Sequence, residues 1–416
     1  MIDVQYLRSQ FPALQHPMDN GTYPIFLDNP AGTQVPQRVI DAVSHYYTFT
    51  NANSGGFFTT SQQTDAMVKA ARRLAADFLN APHADEIVFG PNMTTLMFSL
   101  TRAIGKTLQA GDEIVLTRMD HDANVNPWLL IAADYGLVVR WVDIREEDCT
   151  LDMGSLEGAL SERTKVVATV HAANSMGTIN PVEQIAEMAH AVGALYVVDG
   201  VQSAPHVPID VQAIGCDFFL CSAYKFFGPH IGVMWGHHEL LESLPAYKVR
   251  PAKDKAPYRW ETGTPSFETI AGTHAALSYL AEIGERYGDT HSYPAFSGTR
   301  RHLKQAMQVL GDYERELVSH LIDGLQKLGG VTIAGITDSK QYHLRVPTVA
   351  CVFEGHTPDA VAEYLAQQGI YVWSGNYYAV EIMERLNRPD GMVRIGLAHY
   401  NTHEEIERLL AVLATL

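Results

Sequence analysis

The stretch VVDGVQSAPHVPIDVQAIGCDFFLCSAYKFFGPHIG, residues 197–232, decides the fold. It overlaps the apolar run LYVVD (195–199) and contains a second, DFFLC (217–221). Both runs are apolar on alternate positions of either face, as parallel strands covered by helices on both sides must be. The first run delivers Asp199 at its C-terminal end; the second is followed at once by Ser222 and then, in the next turn, by Lys225. Ligands of open α/β sheets bind outside the carboxyl ends of the strands, so an acid and an amine would share one crevice. A pyridoxal phosphate (PLP) site needs that pairing: the amine binds the aldehyde carbon, and the carboxylate keeps the ring nitrogen protonated so the ring draws electrons. On spacing alone, a buried salt bridge or a lysine on an exposed turn satisfies the same pattern.

Outward from this stretch the alternation continues. The β-rich runs EIVFG (86–90), EIVLT (113–117), VVRWVD (138–143), KVVATVH (165–171) and GVMWG (232–236) complete a set of seven, separated by helix-length segments at 94–103, 126–133 and 182–191. This pattern predicts an α/β fold whose large domain holds a mainly parallel seven-stranded sheet with right-handed crossovers. Around PAKDKAPYRWETGTP (251–265) the composition turns Pro-, Gly- and charge-rich, and one long helical stretch follows to about residue 328. The remainder, with VPTVACVFE (346–354) and MVRIGLA (392–398), reads as a smaller α+β C-terminal domain. The expected division is an N-terminal segment (1–25) packed on the small domain, a large domain (26–270) and a small domain (271–416).

Composition fixes the partners. The 416 residues are 46% hydrophobic and 19% charged, which argues against disorder. A folded chain of this size exposes roughly 16,000 Å², about a quarter of its unfolded surface. A net charge of −17, with basic residues no more clustered than Arg72-Arg73 and Arg300-Arg301, opposes docking on nucleic acid or an anionic membrane. The first residues lack the apolar run of a signal peptide, and no stretch nears eighteen apolar residues, so a cytoplasmic protein is expected. Cys149, Cys216, Cys221 and Cys351 form no CxxC pair, which disfavours a disulfide framework or zinc knuckle. The strand cysteines read as buried thiols and Cys149 as part of a polar loop.

The 197–232 stretch closely resembles the cofactor segment of class V, fold-type I PLP enzymes, particularly the group II cysteine desulfurases. Six further blocks match in order: LDNPAGTQVP (27–36), DEIVFGPNMTT (85–95), DHDANVNPW (120–128), VHAANSMGTINPV (170–182), ETGTPSFETIAG (261–272) and VRIGLAHYNT (393–402). The resemblance implies that Lys225 carries the cofactor, Asp199 partners the ring nitrogen and Gln202 the 3'-oxygen, and Ser222 and Tyr224 bind the phosphate. It makes Met93 and Thr94 the dipeptide that cradles the phosphate, consistent with a helix N-terminus favouring an anion. Arg394 would fork the substrate's α-carboxylate, a task for a planar bidentate donor, with Asn174 beside it. Thr264 would reach the phosphate of a second subunit, which implies a homodimer with shared active sites. Read without the resemblance, Thr94 is an ordinary helix-start residue and Arg394 a surface ion-pair partner.

Two positions depart from the pattern. Where the family carries a ring-stacking histidine before Ala-Asn, the alignment puts Asp122, with His121 expected to point elsewhere; Asp122 then either tunes the cofactor or takes an acid-base role. Where desulfurases carry a nucleophilic cysteine after an arginine, this chain has Tyr378, with Trp373 at the arginine position, and tyrosine cannot accept sulfur as a thiolate does. The expectation is therefore a PLP-dependent enzyme acting on an α-amino acid, cysteine desulfurase-like, running C–S lysis by β-elimination. The alternatives are class V transamination, epimerisation, desulfuration through another thiol, and PLP binding without turnover.

Other readings fail on residues. Ser222-x-x-Lys225 lacks the Lys-Thr-Gly strand of acyl-serine hydrolases, and Gly105-Lys106-Thr107 lacks the first glycine of a P-loop, since residue 100 is Leu. His237-His238 has no partner at metal-ligand spacing, so no metal is expected.

Overall fold

The computed structural model describes residues 2–416. Seven strands form the large sheet: β1 Ile87–Gly90, β2 Glu113–Thr117, β3 Val138–Val142, β4 Thr164–Val170, β5 Leu195–Asp199, β6 Phe218–Ser222 and β7 Gly232–Gly236. Their order is β1-β7-β6-β5-β4-β2-β3, with β7 antiparallel to both neighbours and the five strands from β2 to β6 mutually parallel. Successive residues of the central strands enter opposite cores: Val198 and Phe219 pack on one face, Val197 and Phe218 on the other, and all four are fully buried. Helices therefore cover both faces, as the double-sided apolar runs require. The edge strand β3 alternates exposed and part-buried residues, and its Arg140 turns back to the buried Glu113 of β2.

A second, antiparallel sheet comprises β8 Val331–Ala334, β9 Thr348–Phe353, β10 Trp373–Gly375 and β11 Met392–Gly396, ordered β10-β11-β9-β8. Val393 and Ile395 of β11 point into a core shared with helices Pro358–Gln367 and His403–Leu413. The period of two then sends Arg394 to the opposite face, toward the large sheet. A capping box between Thr402 and Glu405 starts the last helix directly after this strand.

The N-terminal segment lies against C-terminal residues: Ile25–Phe26 pairs in parallel with Ile370–Tyr371, and Arg8 forms a 2.8 Å ion pair with Glu405. The long helical stretch expected after residue 265 is two helices, Phe267–Tyr287 and Gly298–Lys327. It breaks at Gly288, which turns out of helical geometry ahead of a segment containing Pro294. The chain exposes 17262 Å², close to the size-scaling value. Among the described residues no helix is long and apolar enough to cross a membrane.

Candidate active site

The carboxyl ends of β4, β5 and β6 deliver Val170, Asp199 and Ser222 to one cavity of ≈ 680 Å³ between the two sheets. Met93 and Thr94 also line it, at the start of the helix Met93–Gly105. The Asn92 side chain caps that helix by accepting from the Thr95 N–H at 2.8 Å, which leaves the first two N–H groups ahead of it. This helix end can lie beside the sheet because residue 232 is glycine; a Cβ there would meet the Asn92 carbonyl carbon at 2.4 Å.

Lys225 rises from the short turn Ala223–Lys225 after β6 and is buried, its Nζ donating to the Pro30 carbonyl. Burial, helped by the Arg394 cation and opposed by Asp199 and Asp28, pulls its pKa down to about 7. The amine is thus partly neutral, hence nucleophilic, near neutrality. Burial pushes Asp199 up to about 6, against an N–H donated by Val201 at 2.9 Å and the Lys225 charge. A carboxyl held there becomes firmly ionised once a cation stands opposite it.

Arg394 is buried, donates from Nη1 to the Asn174 carbonyl at 3.0 Å and lies over the Tyr377 ring at 4.4 Å. Asn174 Nδ2 donates in turn to the Tyr377 carbonyl at 3.0 Å. Arg394 Nε, Asn174 Oδ1 and Gln202 Oε1 are buried without partners, and all three residues line the cavity. Buried polar atoms left open cost about 1–3 kcal/mol each, so their convergence marks the place of a polar ligand.

The structure revises the reading of residues 120–124. His121, not Asp122, lines the cavity, and its ring stacks on that of Tyr378 with centroids 5.5 Å apart. The cause is a buried Asp120 that accepts from the Thr117 hydroxyl and, at 2.6 Å, from Asn124 Nδ2, fixing a tight turn with His121 at its head. His121 Nδ1 accepts the Ala123 N–H at 3.0 Å, so its proton sits on Nε2, and burial with the Lys225 and Arg394 charges lowers its pKa to about 4. Asp122 instead contributes its backbone N–H, donated to the Tyr378 carbonyl at 2.7 Å.

Tyr377 and Tyr378 both adopt the left-handed backbone region, at φ 52° and 56°. For bulky residues this conformation persists only where contacts over-determine it. Here the Asn174 and Asp122 bonds hold the two carbonyls, and the Tyr377 hydroxyl donates to the Met392 carbonyl. Nothing in the sequence signals this strained pair, and Tyr377, like His121, is a wall residue that the sequence did not reveal. Tyr224, Gln202, Ser222 and Trp373 line the cavity as well. Thr264 does not: it lies exposed on a turn beside a separate cleft with Phe89 and His230. All four cysteines are buried and none lines the cavity; Cys149, read as part of a polar loop, has its thiol pushed up by burial to about 11.

The residues present fit PLP. Lys225 would take the aldehyde carbon, Asp199 the ring nitrogen, and the helix start with Ser222 and Tyr224 the phosphate, while the open amides of Asn174 and Gln202 would face the 3'-oxygen. A strand-end carboxylate, a buried lysine and a helix N-terminus on one cavity suit a PLP site of the fold-type I arrangement. The model of the class-V aminotransferase family matches residues 25–293 and 288–409. A cysteine desulfurase of Synechococcus elongatus is 34% identical over 99% of this chain, and one of Pectobacterium atrosepticum 32% identical over 98%. The chain spans 63% of the length of the former and 96% of the latter. The solved cysteine desulfurase of Thermococcus onnurineus superposes with a TM-score of 0.88 at 26% identity, covering 100% of this chain and 98% of that one. The chain belongs to the class-V aminotransferase family. Its relatives there include cysteine desulfurases.

Proposed function

We propose that the protein acts on an α-amino acid bearing a sulfur substituent on its β-carbon and cleaves the C–S bond by β-elimination. The observation that carries this reading is the cavity wall: Tyr378 and Trp373 stand there, and no thiol lines the cavity to take up sulfur. Arg394 would bind the α-carboxylate and Lys225 would take the α-proton, while bound PLP supplies the sink for the electrons of the broken C–H bond. The C–S bond then breaks with its electron pair leaving on sulfur, which takes a proton to become a free thiol. Addition of water to the remaining three-carbon fragment yields pyruvate and ammonium, so atoms balance without an oxidant or reductant. His121, which lines the cavity and whose Nδ1 is occupied as an acceptor, would hand the Nε2 proton to the departing sulfur.

The enzyme works in this reading as a cytoplasmic homodimer, with residues 26–270 as cofactor-binding domain and 271–416 as the layer that closes on the substrate. Exposed Tyr47, Phe49, Phe57 and Phe58 support the dimer, and Tyr46 beside them packs on Phe267, three residues after the Thr264 turn. An apolar surface of this kind suits burial against a second copy. The test is a panel of amino acids, including cysteine and its S-substituted derivatives, scored in parallel for alanine, for pyruvate with ammonia, and for other keto acids. Pyruvate with stoichiometric ammonia is expected from S-substituted cysteines; alanine as the main product would overturn the elimination, and keto acid without ammonia would make the enzyme an aminotransferase.

A further inference from the structure

The cavity has a floor and a rim of different character. Lys225, Arg394 and Asp199 are buried at the floor, whereas Trp373 and Tyr378 are 51% and 70% exposed at the open side, where Asp390 is exposed as well. Trp373 stands directly opposite Arg394 in the pairing of β10 with β11, so both side chains leave the small sheet on one face, with Cβ atoms about 5 Å apart. Tyr378 stacks on His121, whose pKa of about 4 makes it a neutral ring near pH 7.

Asp390 is fixed by its turn. The Gly391 N–H donates to the Arg388 carbonyl at 2.9 Å, and Gly391, at φ 75°, lies so close to the end of β10 that a Cβ there would collide with the Gly375 carbonyl. Among the described residues no basic side chain of the rim answers this carboxylate. Arg385 is spent on Asp143 and Glu146, and Arg388, on the same turn as Asp390, lies outside the cavity lining. Ser374, also on the rim, donates to a second carboxylate, that of Asp359, at 2.6 Å.

An α-amino acid whose carboxylate and amine are taken at the floor has only its side chain left to reach the rim. Ring faces carry the negative part of the aromatic quadrupole, and beside an unanswered carboxylate they attract a cation and repel an anion. An apolar substituent would strip water from Asp390 without replacing it, and an acidic one would meet a like charge. We propose that the preferred substrate is an S-substituted cysteine whose substituent ends in a cationic group, such as a primary amine, received by Asp390 and the rings of Trp373 and Tyr378. These three are specificity-determining residues. The inference rests on the elimination reading for the sulfur and adds what that sulfur carries.

The test compares S-aminoethylcysteine, S-hydroxyethylcysteine and S-carboxymethylcysteine, similar in reach and different in terminal charge. Affinity is read from the initial change in visible absorbance of the PLP-loaded protein in stopped flow, and pyruvate is assayed in the same mixtures. The amine should bind about ten-fold more tightly than the alcohol, the product of an exposed ion pair and a cation–ring contact of about three-fold each, and the acid more weakly than the alcohol. Asp390→Asn and Trp373→Leu should each lower the preference for amine over alcohol about three-fold, and together abolish it. Asp390→Lys should place the acid ahead of the amine, an inversion that local unfolding of the rim would not produce. Equal affinity for all three compounds, or a preference for the amine that survives the double substitution, overturns this inference alone, whether or not pyruvate forms. Selective binding of the amine without pyruvate overturns the elimination and upholds the specificity. A native protein that takes up no PLP overturns the cofactor assignment and the inference with it.

Discussion

Lys225 owes its reactivity to what surrounds it. Burial and the Arg394 charge lower its pKa, while Asp199 and Asp28 pull the other way, and the outcome is about 7. A depressed amine is protonated below that value and neutral above it, and only the neutral form attacks an aldehyde. Uptake of PLP by the apo protein should therefore accelerate as pH rises with its midpoint at about pH 7, whereas an exposed lysine would have its midpoint at about pH 10. Arg394→Gln removes a cation that depresses Lys225, so its midpoint should move upward. Stopped-flow absorbance of cofactor uptake measures both; a native midpoint near 10, or a downward shift in the variant, contradicts the assignment. Asp199 and Lys225 were legible in the sequence because strand ends fix where they point. His121 was not, since its direction depends on the side chains of Thr117, Asp120 and Asn124 closing a turn in three dimensions.

At the scale of elements, the helix Met93–Gly105 and strand β7 meet where a side chain at residue 232 would collide with the backbone of Asn92 and Met93, at 2.4 and 2.6 Å. Backbone cannot yield there as a flexible side chain could, so Gly232→Ala should displace the helix start. Affinity for PLP is expected to fall about ten-fold, the equivalent of one lost charge-assisted hydrogen bond, with pyridoxal lacking the phosphate affected far less. Fluorescence titration with both compounds checks this; equal losses would show that the helix start is not the phosphate site. All seven strands of the large sheet were readable from apolar runs with turn signals on either side. The short strands Val331–Ala334 and Trp373–Gly375 were not, because each has at most four residues and no fully buried face to impose a pattern. The break between the two long helices was missed because both flanking segments are periodic, although GDTHSYPAFSG (288–298) carries the Gly, Pro, Asp and Ser cluster of a loop.

For the whole molecule, the acidic net charge of −17 coexists with a cavity where Lys225, Arg394 and a helix N-terminus converge. Bulk charge opposes polyanionic partners; local charge would admit a phosphate and a carboxylate. Phe57 is 99% exposed, and in the proposed dimer such an apolar side chain would be covered by the second copy. Sedimentation velocity at micromolar concentration should give a two-subunit species, and Phe57→Asp should shift it toward the monomer; a monomeric native protein contradicts the shared site. Nothing in the composition pointed to such an interface, since single exposed aromatics are ordinary and only their clustering in space is informative.

In the proposed reaction sulfur leaves as a small thiol and never rests on the protein. The most direct measurement follows sulfur itself, with an S-substituted cysteine labelled at that atom, incubated with the PLP-loaded enzyme and separated into protein and small-molecule fractions. The label is predicted wholly in free thiol, matched one for one by pyruvate. Label bound to the protein and releasable by reductant, accompanied by alanine, would contradict it.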